Sequence, residues 1–189
     1  MTTAGILALQ GDFKKHASSL RRIDVASVEI REPGDLRGID IIILPGGEST
    51  TMKKLMERFG LTAPLRSLIE EGMPVLGTCA GMIPLAREIE CRDQPGLKTM
   101  DIRVRRNAYG PQIESFETDI QTTIADFPVV RGVFIRAPMA TRIGRNVEVL
   151  AYHQGRPVIF REKNMLAMSF HPELTDDTRI HRYFLKMHA

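Results

Sequence analysis

Short apolar runs alternate with stretches whose apolar residues recur at helical spacing through the first half of the chain. Residues 6–9, 26–30 and 39–44 read as strands, and the last is nearly continuous in β-branched residues, as expected of a strand buried on both faces. Phe13, Ala17 and Leu20 follow the first strand at helical spacing. Met52, Leu55, Met56 and Phe59 recur at i, i+3, i+4 and i+7, and Leu65, Leu68 and Ile69 form a second stripe. Residues 74–77 give another strand, and 82–88 have the pattern of a helix opening directly after it. Alternation of this kind predicts parallel βαβ units, and so a sheet covered on both sides.

The second half changes character. Residues 100–104, 115–122, 133–135, 147–152, 157–160 and 165–169 read as short strands, and 107–111 is turn-rich. His153-Gln154-Gly155-Arg156 has the form of a hairpin turn. Residues 176–187 predict a closing helix with an acidic start and Lys186 near its end. The predicted fold is α/β in three layers: a mostly parallel, flavodoxin-like central sheet, helices on both faces, and added antiparallel strands at one edge. With no linker, repeat or low-complexity segment, residues 1–189 read as one domain.

Composition narrows the function by exclusion. Apolar content of 43% and charged content of 26% are ordinary for a globular protein. No run approaches the roughly 20 apolar residues of a membrane span. The first residues look like a strand, not a signal peptide, so the cytoplasm is the expected compartment. The two cysteines, Cys79 and Cys91, form no Cys-x-x-Cys pair, which argues against a disulfide framework or a structural zinc site. A net charge of +3 is carried by scattered Lys and Arg with no tryptophan, giving nucleic-acid binding little support. No metal or cofactor is expected.

The chemistry concentrates at three strand ends, where open parallel sheets build their sites. Gly77-Thr78-Cys79-Ala80-Gly81 has the form of a nucleophile elbow with cysteine as the nucleophile. Glycines two residues either side leave room for the turn, and the following helix start favours an anion there. Ser169-Phe170-His171-Pro172-Glu173 supplies a base: His171 ends an apolar strand, and Pro172 disfavours helix at that residue. Glu173 is placed to accept the other imidazole N–H. Pro45-Gly46-Gly47-Glu48-Ser49-Thr50 gives a flexible backbone whose Gly47 N–H, with that of Ala80, is a pair of oxyanion donors. The competing reading of that loop is a strand-to-helix turn capped by Ser49 or Thr50; Glu48 and the missing Gly-Lys-Ser/Thr disfavour a phosphate loop. His16 and His181, on amphipathic helices, His153 in a turn and His188 at the end are expected to be solvated. Cys91, in a polar stretch, is read as incidental.

These segments resemble the class I (triad) glutamine amidotransferases over essentially the whole chain. Within that class the chain is similar to the PdxT/SNO family, glutaminase subunits of pyridoxal 5′-phosphate synthase. The elbow and the His-Pro-Glu segment mark the class. Leu9-Gln10-Gly11, Gly46-Gly47-Glu48-Ser49-Thr50-Thr51, Arg106-Asn107-Ala108-Tyr109-Gly110 and Phe134-Ile135-Arg136-Ala137-Pro138 mark the family. The resemblance implies Cys79 as nucleophile, His171 as acid/base, Glu173 as its partner, and glutamine recognition by Gly46, Gly47, Glu48, Arg106, Ile135 and Arg136. The nearby Arg103 and Arg105 read as surface ion pairs. The implied partner is a (βα)₈-barrel synthase subunit of the PdxS/SNZ family in a large hetero-oligomer. Two alternatives remain at this point: the glutaminase of another synthase (imidazole glycerol phosphate or anthranilate), or a non-catalytic stress protein of the DJ-1/PfpI type. Pro84 departs from the family pattern, and its ring puts the straightness of the elbow helix in question.

Overall fold

The computed structural model describes residues 2–90, 96–106, 108 and 115–187. Cys91, His188 and most of the 107–111 turn lie outside the described residues. The elements in chain order are β1 (Thr3–Leu7), α1 (Phe13–Arg21), β2 (Ala26–Ile30), β3 (Ile41–Leu44), α2 (Ser49–Arg58), α3 (Thr62–Glu70) and β4 (Val75–Thr78). They continue with α4 (Met82–Leu85), β5 (Ala86–Ile89), β6 (Met100–Arg105), β7 (Ser115–Thr122), β8 (Val129–Ile135) and β9 (Met139–Ile143). β10 (Glu148–His153), β11 (Arg156–Glu162), β12 (Met165–Met168) and α5 (Arg179–Lys186) complete the chain.

The main sheet has the order β2-β1-β3-β4-β12-β11-β10-β7-β8. Its first five strands pair in parallel, and from β11 onward every pairing is antiparallel. The parallel part therefore has the doubly wound order whose switch point lies between β1 and β3, where such sheets hold ligands. Period-two alternation sorts the side chains. Ile41, Ile43, Leu76, Leu166 and Met168 face one core, with Leu20 of α1 and Ile180 and Phe184 of α5. Ile42, Leu44, Val75, Met165 and Ala167 face the other, with Met52 and Met56 of α2 and Leu65 and Ile69 of α3. All four side chains of β3 are buried; burial of each contributes roughly 1.5–3 kcal/mol. The predicted layers and the antiparallel extension are present. The β10–β11 turn has positive φ at both Gln154 and Gly155, as a two-residue hairpin demands. Among the described residues, no helix is long and apolar enough to cross a membrane.

Three expectations are corrected. The helix predicted over 82–88 stops at Leu85, and 86–89 becomes a strand. The Pro84 carbonyl accepts from Leu97 and Lys98 N–H and the Leu85 carbonyl from Thr99 N–H, so these groups are taken by a neighbouring segment instead of the next helical turn. β5 then joins β6 and β9 in a second, three-stranded sheet that the sequence pattern did not reveal. Met100, Ile102, Val104 and Ala140 from this sheet pack into the same core as Phe160 and Met165. The closing helix begins at Arg179, with Asp176 and Asp177 in the preceding turn and Asp177 accepting from Arg179 N–H.

Candidate active site

Cys79 follows β4 directly and opens a short 3-10 turn that runs into α4. Its φ of 47° lies in the left-handed region, uncommon for a residue with a Cβ and the signature of a strained elbow. The flanking glycines are there for space. A Cβ on Gly81 would overlap the Leu44 carbonyl, and one on Gly77 would press on Leu85 at 2.7 Å and the Gly81 carbonyl at 2.8 Å. Because α4 is one turn long, little helix dipole reaches the sulfur, and the stronger electrostatic influence comes from His171.

His171 follows β12, the strand beside β4, and its N–H donates to the Val133 carbonyl of β8 at 2.8 Å. The ring is nearly fully buried. Its Nδ1 lies 2.8 Å from Glu173 Oε1 and 3.6 Å from Asp12 Oδ2. Burial opposes the imidazolium, but hydrogen bonds with Cys79 and Glu173 and the charge of both outweigh it, raising the pKa to about 10. Glu173 is also buried; that burial works against ionisation, while His16 and His171 keep its carboxyl below the usual range. In its thiol form Cys79 donates to the Ile135 carbonyl, 3.7 Å away. Asp12, His171 and Glu173 present ligand-type atoms within 4.8 Å of one another. The Nδ1 among them is already engaged by Glu173, which describes a base and its carboxylates better than a metal site.

A cavity of about 260 Å³ opens in front of the sulfur. It is lined by Gly47, Glu48, Cys79, Ala80, Arg106, Ile135, Arg136 and His171, all expected from the sequence, and by Asp12, Ser49, Ile83 and Pro138, which were not. This is small even for a small-molecule site, so it suits an amino acid. Gly46 and Glu173 sit behind the lining. Gly46 has no room for a side chain because a Cβ would enter the His171 ring. Gly47 has φ 149°, and a Cβ there would overlap the Gln10 amide. The Gly46 carbonyl accepts from Asp12 N–H at 3.1 Å, fixing the Gly46-Gly47 peptide.

Glu48, not Ser49 or Thr50, caps α2, accepting from Thr50 and Thr51 N–H. Burial opposes its ionisation, but the Thr51 and Thr50 donors prevail and lower its pKa to about 2. Arg106 Nη2 donates to Glu48 at 3.0 Å, so the mouth carries opposite charges side by side. Arg136 adds a second guanidinium on a backbone of φ 43°. Arg103 and Arg105 pair with Glu88 and Glu90, as expected of surface residues.

Two histidines depart from expectation. His16 and His181 are almost wholly buried, not solvated. His16 Nε2 lies 3.0 Å from Thr78 Oγ1 and 3.4 Å from Glu173 Oε2, and its Nδ1 lies 3.0 Å from His181 Nε2. The signal was available: His16 stands with Phe13, Ala17 and Leu20 at i, i+3, i+4, i+7 spacing, on the face that turns inward. Asp12 was equally legible, two residues past Gln10 at the end of β1.

A parallel sheet in 2-1-3-4 order with a cysteine in the turn after β4 matches the fold of the class I glutamine amidotransferases. A solved structure described as a glutamine amidotransferase superposes with a TM-score of 0.93 at 47% identity, covering 97% of each chain. The SNO glutamine amidotransferase family matches residues 6–189. The chain belongs to that family. Two curated relatives, each called pyridoxal 5′-phosphate synthase subunit PdxT, are 52% identical to it. The one from Carboxydothermus hydrogenoformans aligns over 96% of this chain and 95% of its own, and the one from a Roseiflexus species over 98% and 100%.

Proposed function

We propose that this protein hydrolyses the side-chain amide of L-glutamine and delivers the ammonia to a synthase subunit that makes pyridoxal 5′-phosphate. The observation that carries the reading is Cys79 and His171 lining one amino-acid-sized cavity, with Glu173 hydrogen-bonded to the His171 ring from behind. Full-length similarity at about half identity to subunits named for that synthase supports the choice of partner. The opposed charges of Glu48 and Arg106 at the mouth suit the zwitterionic end of glutamine.

Cys79 attacks as the thiolate, adding its sulfur to the side-chain carbonyl carbon. The carbonyl π pair moves to oxygen, where Gly47 and Ala80 N–H groups stabilise the anion. His171, protonated and held by Glu173, gives its proton to the amide nitrogen as the C–N bond breaks, releasing ammonia and leaving a glutamyl thioester. Water then loses a proton to His171 as it attacks the thioester, and cleavage of the C–S bond returns glutamate and the free cysteine. Release of ammonia into solvent serves no synthesis, which favours control by the partner. In this reading the synthase acts on the Gly46-Gly47 peptide, whose reorientation would break the Asp12 N–H bond to the Gly46 carbonyl at a cost of about 0.5–1.5 kcal/mol.

The test measures ammonia from glutamine with the chain alone, with its synthase subunit, and with Cys79→Ala in the same complex. We expect a clear rise on adding the synthase and background release from the variant. Wild-type complex that matches the variant would sink the glutaminase reading; equal rates with and without the synthase would remove partner control alone.

A further inference from the structure

Glu173 Oε2 is buried and has no hydrogen bond of normal geometry, although the residue is held ionised. A buried carboxylate oxygen without a donor is costly. His16 Nε2, 3.4 Å away, is within ion-pair reach of it. His16 is itself fixed from behind by His181 on α5, 3.0 Å from its Nδ1. We propose that His16 is a positioning residue for the reaction, a neutral imidazole whose Nε2–H faces Glu173 and Thr78 and holds the carboxylate in line with His171. The inference rests on the glutaminase reading above.

The tautomers follow from counting protons. A neutral His16 has one N–H. With the proton on Nδ1 it would donate to His181, and the lone pair of Nε2 would face the Glu173 anion. With the proton on Nε2 it serves the carboxylate and Thr78 Oγ1, while Nδ1 accepts from His181 Nε2–H. In the second arrangement Nε2–H lies on the carboxylate side, and the buried, unpartnered His181 Nδ1 carries a lone pair instead of an N–H. A spare lone pair on a neutral ring is the lesser cost beside a bare carboxylate oxygen. The result is a one-directional series of donors, His181 to His16 to Glu173, with His171 donating to the other carboxylate oxygen. Charged and titratable groups facing His16 are Glu173, His171, Asp12 and His181, and His181 also faces Asp177. Burial, the largest influence, favours the neutral form of both rings.

Nitrogen-15 spectra of the histidine side chains of the free chain at neutral pH give a readout independent of activity. His16 should be neutral and protonated at Nε2; an Nδ1–H tautomer or an imidazolium overturns the proposal. Glutaminase kinetics of the complex with its synthase give the second. Gln at position 16 keeps a donor near the place of Nε2, Asn keeps one only near Nδ1, and Leu keeps none. Loss of a hydrogen bond to a charged group corresponds to about 10- to 100-fold, so His16→Asn and His16→Leu should lose that much kcat with KM nearly unchanged, and His16→Gln should recover most of it. Without the donor, Glu173 takes up a proton more readily, so the acid limb of the rate profile should move to higher pH in the first two variants only. Equal losses in Asn and Gln variants, or a Leu variant with the wild-type rate and profile, would reject the role. A wild-type complex inactive on glutamine would instead reject the underlying function.

Discussion

His171 owes its high pKa to negative neighbours, and that dependence can be tested one residue at a time. Burial alone would discharge the ring; the Cys79 and Glu173 contacts reverse the effect and bring it to about 10. Glu173→Gln keeps a side chain of the same shape able to accept from Nδ1 but removes the charge. Misorientation and a weakened imidazolium together should lower kcat on the order of 10²- to 10⁴-fold. The direction of the pH effect is fixed: with the anion gone, the imidazolium loses its proton at lower pH, so the alkaline limb of glutaminase activity moves down. A variant with its alkaline limb unmoved would show that Glu173 only spaces the ring. Cys79, His171 and Glu173 stand out in the sequence as candidates because each lies just past an apolar strand, with glycines two residues away or a proline adjacent. His16 departs from the solvated expectation for a histidine on an amphipathic helix because its spacing places it on the buried face.

At the scale of elements, the site is made by loops pressed together at the ends of β1, β3, β4 and β12, and two glycines mark where they touch. Gly46 of the β3 loop lies against the His171 ring, and Gly81 of the elbow lies against the Leu44 carbonyl at the end of β3. An added methyl therefore has different consequences. At Gly46 it meets a side chain that can move by rotating, so Gly46→Ala should displace the imidazole. A misplacement of about 1 Å costs on the order of 10² in rate, with a small change in melting temperature. At Gly81 it meets backbone, so Gly81→Ala should destabilise by about 1–3 kcal/mol, the usual cost of overpacking. Thermal melts and glutaminase rates of the two variants should separate in opposite senses; parallel losses would contradict the contact assignment. The strands bordering these loops are legible as short apolar runs between turn residues, β3 the clearest because it is nearly all isoleucine. The second sheet is not, since 82–89 carries no local sign that the carbonyls of Pro84 and Leu85 bond to residues 97–99, a choice made by distant packing.

For the whole molecule, the two buried histidines join the site to the stability of the fold: His181 of α5 contacts His16, and His16 contacts Glu173. Both rings are kept neutral chiefly by burial, His181 with a pKa lowered to about 3. In the unfolded chain a histidine takes up a proton near pH 6.5. Between that value and about 3 the unfolded state binds more protons than the folded one, so stability falls as pH falls. The stabilisation is fully present above the unfolded pKa and is lost progressively below it. At pH 5 the loss from His181 comes to about 2 kcal/mol, from 1.4 kcal/mol per pH unit over some 1.5 units, and His16 acts in the same direction. Urea unfolding of the wild type at pH 7.5 and 5.0 reads these losses together with the opposing gain from His171, whose raised pKa favours the folded state more as pH falls. In His181→Leu the absolute stability changes at both pH values, so the informative quantity is the difference between them, which should shrink by about 2 kcal/mol. An undiminished difference would mean that His181 is reached by protons in the folded state. α5 would then have to open at mild acidity, and the rear support of Glu173 would be lost before the fold itself.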